Sequence, residues 1–261
     1  MPFEQDAAVT LSQVSKRYYL RGGRAQELKT ALLSLPALLL NGRGRQAFWA
    51  LQDVSFTIRR GESVGIVGPN GSGKSTLLGI IAGITRPTSG QVTTSGRVSA
   101  LLELGSGFHP QISGRENALL NAVLLGLSLK EARQALPGII AFSELGNFID
   151  QPMRTYSSGM YVRLGFAVAV HVRPEILLVD EVLAVGDAEF QSKCFAHMEG
   201  LRRAGVTIIL ASHDLPSVQR YTDRVILVER GRIVLEGKPA PVLHEYLTRV
   251  LAPAPAAAEQ R

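Results

Sequence analysis

The sequence predicts an α/β fold with a mainly parallel sheet, interrupted by a helical insertion. Short apolar strands alternate with longer helical patterns, beginning with the strand SVGIVG (63–68) and a helix that starts at Lys74. This alternation is typical of a parallel sheet flanked by helices. Between Gly114 and Pro174 the strand patterns stop and helical patterns follow one another. We therefore expect one α/β core with a helical segment inserted into it.

The later strands of the predicted sheet are short apolar runs. They are, in chain order, VSALLEL (98–104), ILLVDE (176–181), VTIILAS (206–212) and RVILVE (224–229). This pattern divides the chain into a discontinuous core over residues 1–111 and 175–249 and a helical subdomain over residues 112–174. Residues 250–261 are rich in proline and alanine, which predicts a disordered tail.

The composition excludes several classes of protein. With 261 residues, 46% of them hydrophobic and 19% charged, the chain can bury a sizeable core and is neither disordered nor fibrous. The apolar run ALLSLPALLL (31–40) is shorter than the roughly 20 residues that a membrane span needs. The N-terminus lacks the pattern of a secretory signal, and Cys194 has no second cysteine to pair with. We therefore expect a cytosolic protein, for which the net charge of +6 alone identifies no partner.

The strongest motif is GPNGSGKST (68–76), which directly follows the strand SVGIV. It fits the pattern G-x-x-x-x-G-K-[ST], in which backbone N–H groups cradle phosphate oxygens at the N-terminus of a helix. Lys74 supplies a compact positive charge, and the hydroxyl of Ser75 is a ligand for Mg²⁺. The predicted nucleotide-contacting residues of this loop are Gly68, Pro69, Asn70, Gly71, Ser72, Gly73, Lys74, Ser75 and Thr76.

Two further signals stand at the ends of predicted strands. The strand ILLVDE ends in Asp180 and Glu181, and carboxylates at the end of a buried strand need partners. Mg²⁺ and an attacking water would provide them, with Asp180 in the metal shell and Glu181 as general base. The alternative is that both carboxylates cap the following turn. His213 lies just beyond VTIIL, where its imidazole would approach the γ-phosphate and act in catalysis, although a histidine at a strand end is more often structural.

The segment YSSGM (156–160) begins another helix and narrows the choice among P-loop nucleoside triphosphatases. Ser157 or Ser158 could simply cap the helix, but Gly159 weakens a helix by about 1 kcal/mol and capping does not explain it. We predict that these three residues form a second anion site. Because a second site facing its own phosphate loop would be redundant, it is expected to contact ATP held by a second copy of the chain, in a head-to-tail homodimer.

In the order and spacing of its motifs, the chain resembles the ATP-binding-cassette (ABC) ATPases over about residues 8–247. GPNGSGKST resembles the Walker A motif, ILLVDE the Walker B motif, YSSGM the signature, AVGD (184–187) the D-loop and His213 the switch histidine. The resemblance implies a RecA-like P-loop NTPase core with a small antiparallel β portion near the N-terminus and an inserted α-helical subdomain. It also adds Asp187, in the D-loop, to the residues expected to contact ATP.

Two motifs depart from the usual family pattern. The signature is usually LSGGQ, so Tyr156, Ser158 and Met160 replace leucine, glycine and glutamine. Glu103 stands where the family has a glutamine, and it would either bind the metal through water or carry the hinge to a membrane partner. Together with GRENALLN and DEVLAVGDAEFQSKC, these departures are similar to the ATPases of bacterial polysaccharide exporters. That subgroup moves lipid-linked O-antigen, capsule or teichoic acid polymers across the inner membrane.

The same resemblance places an adenine-stacking aromatic residue before the phosphate loop. Tyr18 fits this role, Tyr19 is the alternative, and a core tyrosine is the other interpretation. Residues 20–50 form an insert whose leucines are flanked by arginines. This pattern suits an amphipathic element at the membrane surface or beside the permease.

The expected function is that of the nucleotide-binding subunit of a polysaccharide exporter. A homodimer would bind ATP and Mg²⁺, work with two copies of a separate transmembrane permease, and sit on the cytoplasmic face of the bacterial inner membrane, with no nucleic acid partner. One alternative is the transport of another substrate. A second is a non-transport cassette ATPase acting on DNA or ribosomes, which would carry coiled-coil insertions or tandem cassettes. A third is a P-loop kinase, which would need a lid and an acceptor pocket.

Overall fold

A computed structural model of the chain describes residues 6–19, 47–101, 107–180 and 187–251. The predicted site residues Glu103 and Glu181 lie outside these ranges, as do most of the insert over 20–50 and residues 252–261 of the predicted tail. The described residues form two β-sheets with α-helices packed against them.

The strands of the described part occur largely where the sequence predicts them. The strands predicted at 63–68, 176–181, 206–212 and 224–229 are found as β3, β6, β7 and β8. In chain order the bounds are β1 Ala7–Tyr19, β2 Ala47–Arg59, β3 Ser63–Val67, β4 Ser89–Thr94, β5 Val98–Leu101, β6 Ile176–Asp180, β7 Thr207–Ala211, β8 Arg224–Glu229 and β9 Arg232–Gly237.

The helices carry clear sequence signals at their N-termini. α2 and α3 each begin with a capping box, in which a serine and the glutamate three residues later bond each other's backbone N–H groups, as Ser113 and Glu116 do. The bounds are α1 Lys74–Ile81, α2 Gly114–Leu124, α3 Leu129–Ser143, α4 Ser158–His171, α5 Ala188–Arg203, α6 Leu215–Tyr221 and α7 Pro239–Leu251. α2, α3 and α4 lie between β5 and β6, which confirms the predicted helical insertion.

The central sheet has the strand order β5-β6-β7-β3-β8-β9 and is parallel except for β9. Its inner strands are buried on both faces, which explains why they are continuous apolar runs rather than alternating ones. The second sheet has the order β2-β1-β4 and is antiparallel throughout. It confirms the predicted antiparallel β portion near the N-terminus.

Two apolar clusters lie on opposite faces of the central sheet. Leu177, Val179 and Leu210 point into a cluster shared with α2, α3, α4 and α5. The alternate residues Leu178 and Ile209 point into a cluster shared with α1 and the antiparallel sheet. The helical insertion thus shares its core with one face of the sheet, and the division into subdomains at 112 and 174 stays a prediction. None of the helices in the described ranges reaches the length and apolarity that crossing a bilayer requires.

Candidate active site

Three of the predicted site segments meet at one edge of the central sheet. β7 lies between β3 and β6, and Ala211 at its end pairs with Ile66 of β3 and with Asp180 of β6. The phosphate loop follows β3, and His213 stands two residues after Ala211. Because the carboxyl ends of parallel strands open onto the same crevice, this register brings the loop, Asp180 and the His213 segment together.

The phosphate loop requires glycine at two positions because neighbouring backbone lies close by. A Cβ on Gly68 would lie 2.0 Å from the carbonyl oxygen of Val228, and one on Gly73 would lie 2.5 Å from that of Ala50. Gly73 is the N-cap of α1 and has a φ of 110°, which favours glycine. It offers no side chain to the N–H groups of the first turn. These groups, at the positive end of the helix, are therefore available to a phosphate.

Lys74 is buried within the loop, with 6% of its surface exposed. Its Nζ donates to the carbonyl oxygens of Gly68 and Pro69 at 2.8 and 3.2 Å. Both acceptors are neutral, whereas a buried ammonium group is stabilised best by an anion. The buried hydroxyl of Ser72 has no hydrogen-bond partner among the described residues. A nucleotide phosphate would satisfy both groups, so the loop fits the predicted ATP.

Gly231, which the sequence analysis did not select, fastens the phosphate loop to the rest of the molecule. Its N–H donates to the carbonyl oxygen of Ser72 at 2.9 Å, and its own carbonyl accepts the N–H of Gln52 at 2.7 Å. A Cβ at this position would lie 2.6 Å from the carbonyl oxygen of Ala50. The sequence signal was a single glycine in a tight turn between two strands.

His213 is exposed at the carboxyl end of β7, in a turn closed by its two neighbours. The N–H of Asp214 donates to Ser212 Oγ at 3.0 Å, and the hydroxyl of Ser217 donates to the Asp214 carboxylate. The turn fixes the backbone on both sides of His213. Its catalytic role stays a prediction.

Ser157 caps α4, as the simpler interpretation of YSSGM requires. Its Oγ accepts the N–H of Met160 at 3.3 Å, and the exposed Ser158 begins the helix. Capping does not account for Gly159. A Cβ there would find only Ser157 Oγ within 4 Å among the described residues, at an ordinary contact distance of 3.9 Å. The described part of the chain thus leaves room for a side chain at Gly159, and its packing does not explain the glycine.

The helix that follows the phosphate loop and the helix that begins at YSSGM lie in different layers of the molecule. α1 packs against β2, β4 and β6, whereas α4 packs against α2, α3, α5 and β5. Their apolar residues belong to the clusters on opposite faces of the central sheet. This arrangement is compatible with the prediction that YSSGM serves a nucleotide other than the one on its own phosphate loop.

Tyr156, one of the departures from the family signature, anchors the start of YSSGM. Its hydroxyl donates to the carbonyl oxygen of Phe148 at 2.7 Å. Burial, and after it the charge of Asp150, raises the pKa of this phenol. Gly114 makes room for the ring, because a Cβ there would lie 2.1 Å from the hydroxyl oxygen. The tyrosine and the glycine 42 positions earlier are therefore one packing unit.

Asp187 is the N-cap of α5 and carries an ion pair that the sequence analysis missed. Its carboxylate accepts a hydrogen bond from the backbone N–H of Phe190 at 2.9 Å and another from Nη2 of Arg163 at 2.5 Å. The Phe190 N–H first, and Arg163 in addition, hold the pKa of Asp187 below its ordinary value. Arg163 also donates to Glu144 at 2.9 Å. The sequence contained one indication of a role for Arg163: it lies four residues after Gly159, a spacing that places both on the same face of a helix.

Tyr18 is not a core residue. The Tyr18 and Tyr19 side chains are 40% and 51% exposed, which contradicts the interpretation of a core tyrosine for either. Tyr18 pairs with Phe48 across β1 and β2, and Lys16 Nζ lies 4.9 Å from its ring centroid. Leu51, the partner of Lys16, lies beside Gly73 of the phosphate loop. Adenine stacking on Tyr18 stays a prediction.

The donors predicted for Mg²⁺ are only partly described. Glu103 lies outside the described residues, as does the catalytic Glu181, and the roles of both stay predictions. Within the described ranges no group of three or more histidine, cysteine, aspartate or glutamate side chains is arranged to hold a metal. Ser75 in the first turn of α1 and Asp180 at the end of β6 offer oxygen donors. Two such donors fit Mg²⁺, which keeps several waters and binds few protein groups.

Comparison with known families decides the class of protein. A family model described as ABC transporter matches residues 51–184, a span that contains the phosphate loop, YSSGM and Asp180. The chain belongs to the ABC transporter family. This membership confirms the predicted ATP-binding cassette and its ATPase activity, and it rules out the predicted alternative of a kinase.

Curated relatives confirm the resemblance to the polysaccharide-export subgroup. The chain is 48% identical over 248 residues to the O-antigen export system ATP-binding protein RfbB of Myxococcus xanthus, covering 94% of this chain and 56% of that protein. It is 46% identical over 241 residues to the O-antigen export system ATP-binding protein RfbB of Klebsiella pneumoniae, and the match covers 92% of this chain and 98% of that protein. It is 46% identical over 206 residues to the teichoic acids export ATP-binding protein TagH of Lactococcus lactis, and the match covers 79% of this chain and 44% of that protein. The chain thus spans little more than half of the Myxococcus relative and nearly all of the Klebsiella one.

Solved structures confirm the fold. A dimeric, post-hydrolysis structure of the ATP-binding cassette MJ0796 bound to ADP and Pi superposes with a TM-score of 0.71 at 24% identity, covering 88% of this ABC cassette and 98% of that chain. The structure of an ATP-binding subunit of an ABC transporter gives a TM-score of 0.71 at 22% identity, and the match covers 93% of this chain and 94% of that chain. The α/β core of the cassette, its antiparallel portion and its helical insertion are therefore those expected for the family.

Proposed function

We propose that this ABC ATPase powers the export of a lipid-linked polysaccharide, such as O-antigen, capsule or teichoic acid, across the bacterial inner membrane. The observation that carries the proposal is the 46% identity to an O-antigen export ATP-binding protein over 98% of that protein's length. Relatives named for teichoic acid export support polymer export as the shared activity. The chemistry of the site concerns ATP, so the particular polymer is left to the experiment below.

The working unit is a homodimer with two ATP molecules between its subunits. In each site the phosphate loop of one chain holds ATP, and Ser157, Ser158 and Gly159 of the other chain contact its γ-phosphate. The N-terminus of α4 supports this arrangement, because no packing among the described residues accounts for Gly159. Asp187 begins α5 close to α4 and also contacts the nucleotide site in the dimer.

Hydrolysis is attack of water on the γ-phosphorus, with cleavage of its bond to the bridging oxygen of ADP. Lys74 and His213 stabilise the charge on the γ-phosphate, and Glu181 accepts the proton of the attacking water. Ser75 and Asp180 would hold Mg²⁺, with Glu103 as a further ligand through water. When bound, Mg²⁺ neutralises charge on the phosphate oxygens.

Two copies of a separate transmembrane permease complete the exporter. The cassette dimer binds them at the cytoplasmic face of the inner membrane through the helical subdomain and the Glu103 segment. Residues 47–50 of the predicted insert are the start of β2, so we assign only residues 20–46 to the membrane surface, where they would line the entrance for the glycan. Replacing the leucines of the insert by serine tests this assignment. Unchanged export in that variant would contradict it.

The dimer is tested with purified protein. Glu181→Gln should bind ATP but hydrolyse it at least 100-fold more slowly, since general-base catalysis contributes about 100- to 10,000-fold. The variant should therefore form a dimer with ATP and Mg²⁺ that light scattering detects, whereas ADP should leave it monomeric. Lys74→Ala in the same background is the control that should stay monomeric. Normal hydrolysis by Glu181→Gln would contradict the assigned base.

The cargo is tested in the native bacterium. Expression of Glu181→Gln should trap lipid-linked polysaccharide inside the cell and deplete the surface polymer, and the trapped glycan identifies the substrate. Glu181→Gln combined with Lys74→Ala is the matched control. A normal surface with no trapped glycan would exclude polysaccharide export. Fractionation with nucleic acid rather than membranes would then favour a non-transport ATPase.

A further inference from the structure

Exposed aromatic side chains stand at one end of the antiparallel sheet, where β1 ends and β2 begins. They are Tyr18 and Tyr19 on β1 and Phe48 and Trp49 on β2, and each is between 40% and 51% exposed. Successive residues of a strand point to opposite faces of a sheet, whereas residues paired across two strands share a face. The four rings therefore divide into two pairs, one on each face.

One of these faces is turned towards the phosphate loop. Tyr18 and its partner Phe48 share it with Lys16, whose Nζ lies 4.9 Å from the Tyr18 ring centroid. Leu51, the partner of Lys16, approaches the loop closely, because a Cβ on Gly73 would lie 2.8 Å from Leu51 Cδ2. The predicted adenine site uses this face.

On the opposite face a cation is held between two rings. Trp49 pairs with Arg17 across the strands, and Tyr19 follows Arg17 at the two-residue spacing that keeps side chains on one face. The Cζ atom of Arg17 lies 4.9 Å from the Tyr19 ring centroid and 5.2 Å from the Trp49 ring centroid. Both distances are in the range of cation–π contacts. We call these three side chains the outer aromatic cluster.

The surroundings of the outer aromatic cluster are cationic. The buried Nε of Arg17 has no hydrogen-bond partner among the described residues. β1 and β4 contain no acidic residue, and Asp53 is the one acidic residue of β2. Residues 20–46, which connect β1 to β2, include Glu27 as their one acidic residue. The basic residues of this connection are Arg21, Arg24, Lys29, Arg43 and Arg45. The cluster therefore fits an anionic partner.

The size and chemistry of the cluster favour a lipid surface over a protein. Tryptophan and tyrosine concentrate where lipid headgroups meet water, because their rings are apolar and their N–H or O–H groups are polar. An arginine beside them can donate to lipid phosphate. Beyond the cluster, β1 continues with the threonine Thr10, which pairs with the exposed Thr57 and Thr93. Three side chains are far fewer than the roughly 20–30 residues that each partner contributes to a stable protein interface.

We propose that the outer aromatic cluster binds anionic phospholipid headgroups, so that the cassette contacts the bilayer directly and not only through the permease. The inference rests on the proposed function in placing the cassette beside the inner membrane, where anionic lipids attract basic segments. Tyr19 and Trp49 enter the headgroup region, and Arg17, held in place by their rings, donates to lipid phosphate. The other face of the same strands stays free for the nucleotide.

Trp49 allows a direct test, because it is the one tryptophan of the chain. The purified full-length chain is mixed with vesicles of phosphatidylglycerol and phosphatidylethanolamine, or with vesicles of phosphatidylcholine alone. On the anionic vesicles the emission of Trp49 should move to shorter wavelength and be quenched by brominated lipid. Added salt should weaken this binding, because it screens the surface charge. Equal binding to the neutral vesicles would overturn the proposed recognition of an anionic headgroup.

Arg17→Gln and Lys16→Gln are matched variants, since each removes a cation that lies over an aromatic ring, but on opposite faces of one strand. Arg17→Gln should weaken binding to anionic vesicles about fivefold, the usual contribution of one basic residue near such a surface. Lys16→Gln should change this binding by less than about twofold, because its ammonium faces the phosphate loop. Equal losses in the two variants would contradict the assignment to the outer face.

A second pair of variants removes rings instead of charges. Tyr19→Ser should also weaken vesicle binding, whereas Phe48→Ser, on the nucleotide face, should leave it unchanged. Thermal unfolding verifies that each variant folds. The rate of ATP hydrolysis in solution should be the same in Arg17→Gln as in the wild type, because the cluster points away from the phosphate loop. Unchanged vesicle binding by both Arg17→Gln and Tyr19→Ser would overturn the site.

The outcomes separate this inference from the proposed function. Vesicle binding by a chain whose Glu181→Gln variant traps no glycan would overturn the cargo and support the lipid site. Trapped glycan together with an unchanged Trp49 spectrum would overturn the lipid site alone. Binding to membranes that contain the permease, but not to anionic vesicles, would assign the cluster to a protein contact. An emission already at short wavelength without vesicles, and insensitive to them, would show that residues 20–46 cover the cluster, which would also overturn the proposal.

Discussion

At the scale of single residues, Gly159 separates the requirements of function from those of folding. Its Cβ position is open, and it is not among the described glycines with positive φ. Gly159→Ala should therefore raise the free energy of unfolding by up to about 1 kcal/mol, because alanine favours a helix. The same change should abolish ATP-driven dimerisation in the Glu181→Gln background, since the methyl group would face the partner's nucleotide. Chemical denaturation and light scattering on one preparation test both parts, and a variant that still dimerises would contradict the role of Gly159.

Gly114 behaves in the opposite way. Gly114→Ala would place a methyl group 2.1 Å from the Tyr156 hydroxyl, and overpacking of this kind costs about 1–3 kcal/mol. Tyr156→Phe should cost about 1 kcal/mol for the lost hydrogen bond to Phe148. Because removing the hydroxyl relieves the clash, the double variant should be more stable than the sum of the single changes predicts. Additive losses in urea denaturation would show that the two residues do not act as one unit.

At the scale of helices, a pair of stacked histidines joins α4 and α5. His171 and His197 have ring centroids 5.4 Å apart, and both rings contact Phe142 of α3 edge-on. Burial lowers the pKa of both imidazoles, and next to burial the pKa of His197 is lowered by His171. Gly138 belongs to the same contact, because a Cβ there would lie 3.1 Å from His171 Cδ2. The packing of these helices therefore favours neutral histidines.

This packing predicts a pH dependence of stability. In the unfolded chain the two histidines titrate near their ordinary pKa of about 6.5, so at lower pH the unfolded state binds more protons than the folded state. The free energy of unfolding should therefore fall as the pH drops below about 6.5, and level off only below the folded-state pKa values. Urea midpoints between about pH 8 and pH 5.5 measure the slope. His171→Gln with His197→Gln should flatten it, whereas substitution of the exposed His244 on α7 serves as control.

Elements were predicted from the sequence wherever a local signal was sufficient. β8 begins and ends at the residues of the predicted run RVILVE, because an apolar strand between polar residues has little freedom of register. The phosphate loop and the N-terminus of α4 were found because their chemistry requires fixed residue types at fixed spacing. The sequence did not predict the roles of four residues, because each role depends on a partner that is distant in the sequence. These residues are Gly114, Tyr156, Arg163 and Gly231. Periodicity and motif spacing carry no information about such pairs.

At the scale of the whole molecule, the head-to-tail dimer predicts a specific complementation. Lys74→Ala disables the phosphate loop and Gly159→Ala the signature, so each variant alone should be inactive. Mixed dimers of the two contain one site built entirely from intact parts. Each mixed dimer has one intact site out of two, so the mixture should reach at most about half of the wild-type rate. Coupling between the sites would lower this value further.

The control mixes wild-type chain with a chain that carries both substitutions. If the sites are shared between subunits, every site in these mixed dimers combines an intact and a disabled part, so only wild-type dimers hydrolyse ATP. A site built within one chain would reverse both results, because the single variants would then fail to complement each other. Steady-state ATPase assays on the two mixtures distinguish the arrangements.

The bond between Gly231 and the phosphate loop also has a consequence for biosynthesis. The base of the loop is held by Gly231, and β7 and β8, the two strands that flank β3, also follow the loop in the sequence. A nascent chain on the ribosome therefore carries the motif for a long time before it has the geometry to bind nucleotide. The ATP site can therefore close only after Gly231 has been synthesised, which limits futile hydrolysis by nascent chains that end before it.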